Sequence, residues 1–87
     1  MATVRRKQLL RNVGRRVAEL RTERGLTQEE LAARLGMSDR YLRRLEAGEI
    51  NMSIWALARL ANALGATIDE ILVRPRKRAE RASAGVD

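Results

Sequence analysis

Apolar residues recur along this chain at helical spacing. Leu9, Leu10, Val13, Val17 and Leu20 form one stripe and predict a first helix from about Lys7 to Arg24. Leu31, Ala32 and Leu35 mark a second over about 28–35, and Leu42 and Leu45 a third over about 39–47. Ile54, Leu57, Leu60, Ala61 and Leu64 mark a fourth over about 54–64, with all five expected to face inward. A short fifth helix is expected over about 68–73. Start and stop signals agree with these bounds. Thr27 with Glu30, and Thr67 with Glu70, have capping-box spacing, while Ser38 and Ser53 can cap the third and fourth helices. Gly25, Gly36, Gly48 and Gly65 follow the helix ends, and Pro75 forbids simple continuation of the fifth.

The second and third helices are short, amphipathic and joined by a tight turn at Gly36. Ala32 is small where the two would cross closely. This is the layout of a helix-turn-helix, whose second helix enters the DNA major groove. On the third helix Arg40, Arg43, Arg44 and Ala47 lie at i, i+3, i+4 and i+7, opposite Leu42 and Leu45, and so point outward. The planar fork of arginine can bond guanine O6 and N7 together, the commonest specific major-groove contact.

An ordered series of short motifs sharpens this reading. Val17-Ala18-Glu19-Leu20-Arg21 is followed by Gly25-Leu26-Thr27-Gln28-Glu29-Glu30-Leu31-Ala32, Leu35-Gly36-Met37-Ser38, Tyr41-Leu42 and Leu45-Glu46-Ala47-Gly48-Glu49. Ser53-Ile54, Leu57, Leu60-Ala61, Ala63-Leu64-Gly65 and Ile68-Asp69-Glu70-Ile71-Leu72 complete it. The series resembles the XRE family, the lambda repressor and Cro type of DNA-binding domain, over roughly residues 12 to 72. The resemblance implies an all-α, compact five-helix, lambda-repressor-like fold with the helix-turn-helix at helices 2 and 3. It covers residues 7–73, between a flexible basic arm at 1–6 and a basic, disordered tail at 74–87.

The resemblance also implies roles for particular residues. Base-reading positions map to Ser38, Asp39, Arg40 and Arg44. A carboxylate can accept from cytosine N4 but repels phosphate, so Asp39 is expected instead to pair with Arg43 and complement the helix dipole. Gln28 corresponds to a glutamine that bonds a backbone phosphate and buttresses helix 3. Tyr41 can reach a phosphate with its hydroxyl or simply pack beside Leu45. Asn51 precedes helix 4, where the family often contacts phosphate, though asparagine also suits a turn for local reasons. Met52 stands where the family often has proline. Glu46 lies on the inward face, where a carboxylate must be paired. The family's partner is an arginine late in helix 1, and Arg21 occupies that place. Trp55 lies away from Leu57 and Leu60. It either covers the core edge or, with Ile71, Leu72 and Val73, forms a subunit contact.

Charge and composition narrow the function. The formal charge is +7, but residues 1–24 carry eight basic and two acidic side chains, and residues 74–87 five and two. Residues 25–73 carry five basic and seven acidic ones. The excess at both ends suits a polyanion such as double-stranded DNA, since phosphate neutralisation supplies most non-specific affinity. Aromatic residues are only 2% of the 87, so the core must be aliphatic. With no cysteine or histidine, disulfides and thiolate or imidazole metal sites are excluded. There is no phosphate-binding glycine loop and no nucleophile–base pair, so neither an enzyme nor a cofactor is implied. No apolar run is long enough to span a bilayer, and no signal core opens the chain, so a cytoplasmic location is expected.

The resulting expectation is a homodimeric, sequence-specific DNA-binding transcriptional regulator, most simply a repressor of a small operon. The alternative is a protein-interaction module, such as an antitoxin or restriction-modification controller, whose main role is partner binding or autoregulation. The Asn-X-Ser form of residues 51–53 leans toward the controller group. The outward arginines of helix 3 argue against a purely protein-binding face.

Overall fold

The computed structural model describes residues 5–72, all of them in helices or short connections. The helices are α1 (Arg6–Glu23), α2 (Gln28–Leu35), α3 (Asp39–Glu46), α4 (Ile54–Leu64) and α5 (Ile68–Leu72). Helix α1 starts at Arg6, so the last residue assigned to the basic arm is helical. The expected tail and the rest of the arm lie outside the described residues, apart from Arg5.

Local sequence fixes the helix ends. At α2 the Glu30 N–H donates to Thr27 Oγ1 at 3.1 Å, and the Thr27 N–H donates to Glu30 Oε1 at 2.8 Å. Thr67 and Glu70 repeat the same box at α5, at 3.1 and 2.8 Å. The N–H of Thr27 and its hydroxyl hold the Glu30 carboxyl below its ordinary value, and the Thr67 N–H does the same for Glu70. Ser38 and Ser53 accept from the N–H groups of Tyr41 and Ala56 at 3.1 and 3.0 Å. Gly36 carries the turn between α2 and α3 at φ 68°, a left-handed conformation that costs a side chain-bearing residue energy. There the Met37 N–H returns to the Ala32 carbonyl at 2.9 Å and closes the end of α2.

Every helix contributes to one aliphatic core. Val13, Val17 and Leu20 of α1 meet Leu31, Ala32 and Leu35 of α2, Leu42 and Leu45 of α3, Leu57, Leu60, Ala61 and Leu64 of α4, and Ile71 of α5. Among the described residues no polar or charged residue joins them in the core. Helix α1 packs on α3, α4 and α5, while α2 packs on α3 and α4, so α3 is held from two sides with its third face open.

Two close approaches set the position of α3. A Cβ on Gly14 would sit 2.5 Å from the Glu46 carbonyl oxygen and 2.6 Å from that of Leu45, so only glycine admits the end of α3 against α1. Gly48, at φ 80°, lies as close to Arg11, whose Cα would be 2.8 Å from an added Cβ. A mid-helix glycine weakens α1 by about 0.5–1 kcal/mol relative to alanine, and the packing of α3 is the return for it.

Two apolar expectations fail. Ile54 is 80% exposed, and Leu9 is 42% exposed. Both share the core-facing side of their helices but sit in the first turns. Side chains in a helix lean toward its N-terminus, so these overhang the end of the packed layer.

Candidate nucleic-acid interface

The open face of α3 carries Arg40, Arg43 and Arg44, all exposed, with Ala47 beyond them. Leu42 and Leu45 are buried on the opposite side, which fixes the rotation of α3 about its own axis. The arginines therefore project from a helix whose register is set by the core. Arg44 is not independent. Its Nε donates to Glu49 Oε1 at 3.3 Å, and both side chains are about half exposed. The expected ion pair between Asp39 and Arg43 is absent from the described residues. Asp39 instead stands in the first turn of α3, where a carboxylate complements the helix dipole without a cationic partner.

Behind this face lies a polar cluster. Arg21 donates from Nε to Glu46 Oε2 at 2.7 Å and from Nη2 to Oε1 at 3.2 Å, a two-point contact. Its Nη1 donates to the Leu26 carbonyl at 2.7 Å. Gln28 Nε2 donates to Glu46 Oε1 at 2.8 Å. The side chains of Arg21 and Glu46 are 16% and 8% exposed, so the pair is largely withdrawn from solvent. Three residues from α1, α2 and α3 thus meet at one carboxylate. Gln28 keeps a second amide hydrogen free of this cluster.

The other sequence candidates fall into distinct places. Ser38 spends its hydroxyl oxygen on the Tyr41 N–H at the start of α3. Tyr41 is half-buried and packs against the core. Asn51 is exposed and lines a cleft of about 480 Å³ with Arg6, Lys7, Arg11, Gly48 and Glu49. The structure thus joins Arg21, Gln28 and Glu46, and aligns Arg40, Arg43 and Arg44, but holds Asn51 beside α1.

The residues assigned to a subunit contact divide. Trp55 is 74% exposed and Leu72 45% exposed. Ile71 is 1% exposed in the core of its own chain, so it is not available for such a contact. Val73 lies outside the described residues. Ile54, unlike Ile71, is at the surface. Leu9, Met52, Ile54 and Leu72 line an apolar groove of about 170 Å³.

Sequence reasoning missed a group of arginines that bind carbonyls. Arg16 Nε donates to the Glu70 carbonyl at 2.6 Å, and Arg59 Nη2 to that of Leu35 at 2.5 Å. Arg34 Nη1 donates to the Ala63 carbonyl at 3.3 Å, and Arg24 donates to the Leu64 carbonyl. Leu35, Ala63 and Leu64 end α2 and α4, where carbonyls lack helical partners and the dipole favours cations. No short motif announces these contacts, because each joins residues distant in sequence.

A family model described as a helix-turn-helix domain matches residues 12–72. The chain belongs to this family. The HTH-type transcriptional regulator y4dJ of Sinorhizobium fredii is 48% identical over 60 residues, which are 69% of this chain and 78% of that protein. The immunity repressor protein of Bacillus phage phi105 is 38% identical over 60 residues, 69% of this chain and 42% of the repressor. Among solved structures, the restriction-modification controller protein C.AhdI of Aeromonas hydrophila superposes with a TM-score of 0.68 at 39% identity. That match covers 71% of this chain and 94% of the controller.

Proposed function

We propose that this protein is a sequence-specific, double-stranded DNA-binding transcriptional regulator, acting in the cytoplasm as a repressor and without catalysis. The observation that carries the reading is the outward arginine face of α3, held in register by buried Leu42 and Leu45. In this role α3 lies in the major groove. Arg40 and Arg44 reach base edges, and Arg43 reaches phosphate. Gln28 offers its free amide hydrogen to a phosphate at the start of α2, and Tyr41 and Asn51 stand at the margins. The likeness to a phage repressor supports repression. The likeness to a controller protein supports a second reading within the same chemistry, autoregulation of the protein's own operon.

The working unit in this proposal is a two-fold dimer. One recognition helix reads too few base pairs to select an operator within a genome. A two-fold pair reads a palindrome with half-site centres about 34–36 Å apart or a multiple of that. Trp55, Ile54, Leu72 and Leu9 supply the apolar contact, because all four are large and exposed and the last three line one groove.

Selection of bound duplexes from a random pool tests both parts. The expected product is an inverted repeat. Arg44→Ala should lose about 1–3 kcal/mol at one guanine-containing position and flatten preference there. Equal weakening on all duplexes would instead assign Arg44 to phosphate. Trp55→Ala should shift sedimentation equilibrium toward monomer and weaken binding to the full repeat more than to a half-site. A parent protein that stays monomeric and binds one protomer per site would refute the dimer.

A further inference from the structure

The cleft beside α3 is built from an unusual pair of walls. One is the connection after α3, with Gly48, Glu49 and Asn51; the other is the start of α1, with Arg6, Lys7 and Arg11. The family match begins at residue 12, so all three of these cations precede it. They stand in the first turns of α1, ahead of the matched residues.

Three features make this cleft a place for an anion. Arg6, Lys7 and Arg11 are exposed, and among the described residues the Arg11 side chain makes one hydrogen bond, donating to Gln8 Oε1 at 3.3 Å. The one carboxylate in the wall, Glu49, already faces Arg44. The cleft is also fixed relative to α3, because Gly48 packs backbone to backbone on Arg11. Glu49 borders the cleft and touches Arg44, so the cleft adjoins the arginine face of α3. Arg6 and Lys7 lie about 6–8 Å further along the helix axis, at about 1.5 Å per residue. This spreads the positive charge along the start of α1, with Lys7 and Arg11 on one face at i, i+4.

We propose that Arg6, Lys7 and Arg11 form a clamp for DNA backbone phosphates flanking the bases met by α3. The proposal rests on the DNA-binding reading above and extends its footprint from α3 to the start of α1. A polyanion with several charges suits cations spread over more than one helical turn better than a single small anion. The clamp adds affinity without sequence preference, since phosphate contacts position a protein and base contacts specify.

The test measures binding of the full chain to the selected duplex and to a scrambled one across a salt series. The variant carries Arg6→Ala, Lys7→Ala and Arg11→Ala. These sites are exposed, and alanine favours helix, so its melting temperature should match the parent. The expected result is a salt slope shallower by about 2.7, from about 0.9 per phosphate contact, on both duplexes. Affinity should fall for both by one common factor, on the order of ten- to a hundredfold at moderate salt, with their ratio unchanged. Arg6→Lys with Arg11→Lys should keep the slope. An unchanged slope in the alanine variant overturns the clamp and leaves the DNA-binding reading standing. A changed ratio with an unchanged slope also overturns it, since the cations would then act through α3. A parent that binds neither duplex overturns the DNA-binding reading itself, and the clamp with it.

Discussion

Glu46→Ala should be the most damaging single truncation of a polar side chain in this protein. The Glu46 carboxylate accepts two hydrogen bonds from Arg21 and one from Gln28, and its side chain is 8% exposed. Its removal strands a guanidinium that is itself 16% exposed. The Leu26 carbonyl would remain as the partner of that cation, and Gln28 would lose its acceptor. Breaking a buried pair from one side costs about 3–5 kcal/mol. At about 0.05–0.15 kcal/mol per residue, 87 residues are stable by only about 4–13 kcal/mol. The loss therefore takes a large share of the total and lowers the melting temperature by about 12–40 °C, at 4–8 °C per kcal/mol. Glu46→Gln should cost less, about 1–3 kcal/mol, because its amide oxygen can still accept from Arg21 while its NH2 meets a donor. Arg21→Met combined with Glu46→Leu should recover most of the stability, since no unpaired charge remains. Thermal denaturation followed by circular dichroism reads all three. A Glu46→Ala protein melting within about 2 °C of the parent would refute the reasoning, because such a shift is under about 0.5 kcal/mol.

Three further outcomes follow from the structure. Gly14→Ala should lower the melting temperature although it improves helix propensity, because overpacking against the Leu45 and Glu46 carbonyls costs about 1–3 kcal/mol; a rise would show that α3 is free to shift. The depressed Glu30 carboxyl contributes stability that is present above the ordinary carboxylate value of 4.5 and is lost as pH falls through its lowered folded value. Glu30→Gln retains the capping pattern without that titration, so its melting temperature should depend less on pH between about pH 7 and pH 3 than the parent's does. Glu49→Ala removes the partner of Arg44, and should raise affinity for scrambled duplexes while reducing discrimination at the base Arg44 meets; unchanged discrimination in a binding titration would show that Glu49 does not orient it.

The helix ends were legible because they depend on residues three or four apart. Thr27 with Glu30, Thr67 with Glu70, Ser38 and Ser53 each act within one turn, and the structure forms every one of these caps. The inward and outward faces of α3 were legible for the same reason. What spacing does not carry is how far neighbouring elements reach. Ile54 and Leu9 match the apolar period of their helices yet lie past the layer that would cover them. Ile71 adjoins exposed Leu72 in sequence, but its spacing of three from Ile68 sets both isoleucines toward the core. The pairing of Asp39 with Arg43 was reasonable from i+4 spacing, but exposed pairs of this kind are worth only about 0.3–0.5 kcal/mol and do not fix a side chain. Gly14 did carry a signal, since a glycine inside a helical stripe calls for a packing reason.

The distribution of basic residues shows why net charge alone misstates the DNA-binding surface. Arg16, Arg24, Arg34 and Arg59 each donate to a backbone carbonyl from another element, and Arg21 is committed to Glu46. These five tie helices together and contribute to DNA binding mainly through the long-range field. Lysine would serve these positions less well. A guanidinium has five donors in a planar fork, so it can satisfy a carbonyl with one edge and remain solvated or paired on another. The carbonyls at the ends of α2 and α4 would otherwise lack helical partners, and cations there also meet the negative end of the helix dipole. The cations left to meet phosphate are therefore fewer and more localised than the sequence total suggests. Among the described residues most of them lie on the open face of α3 and at the start of α1, the two surfaces that border Glu49, while exposed Arg15 stands further along α1. A DNA duplex lying across both would engage charge that the fold itself does not use.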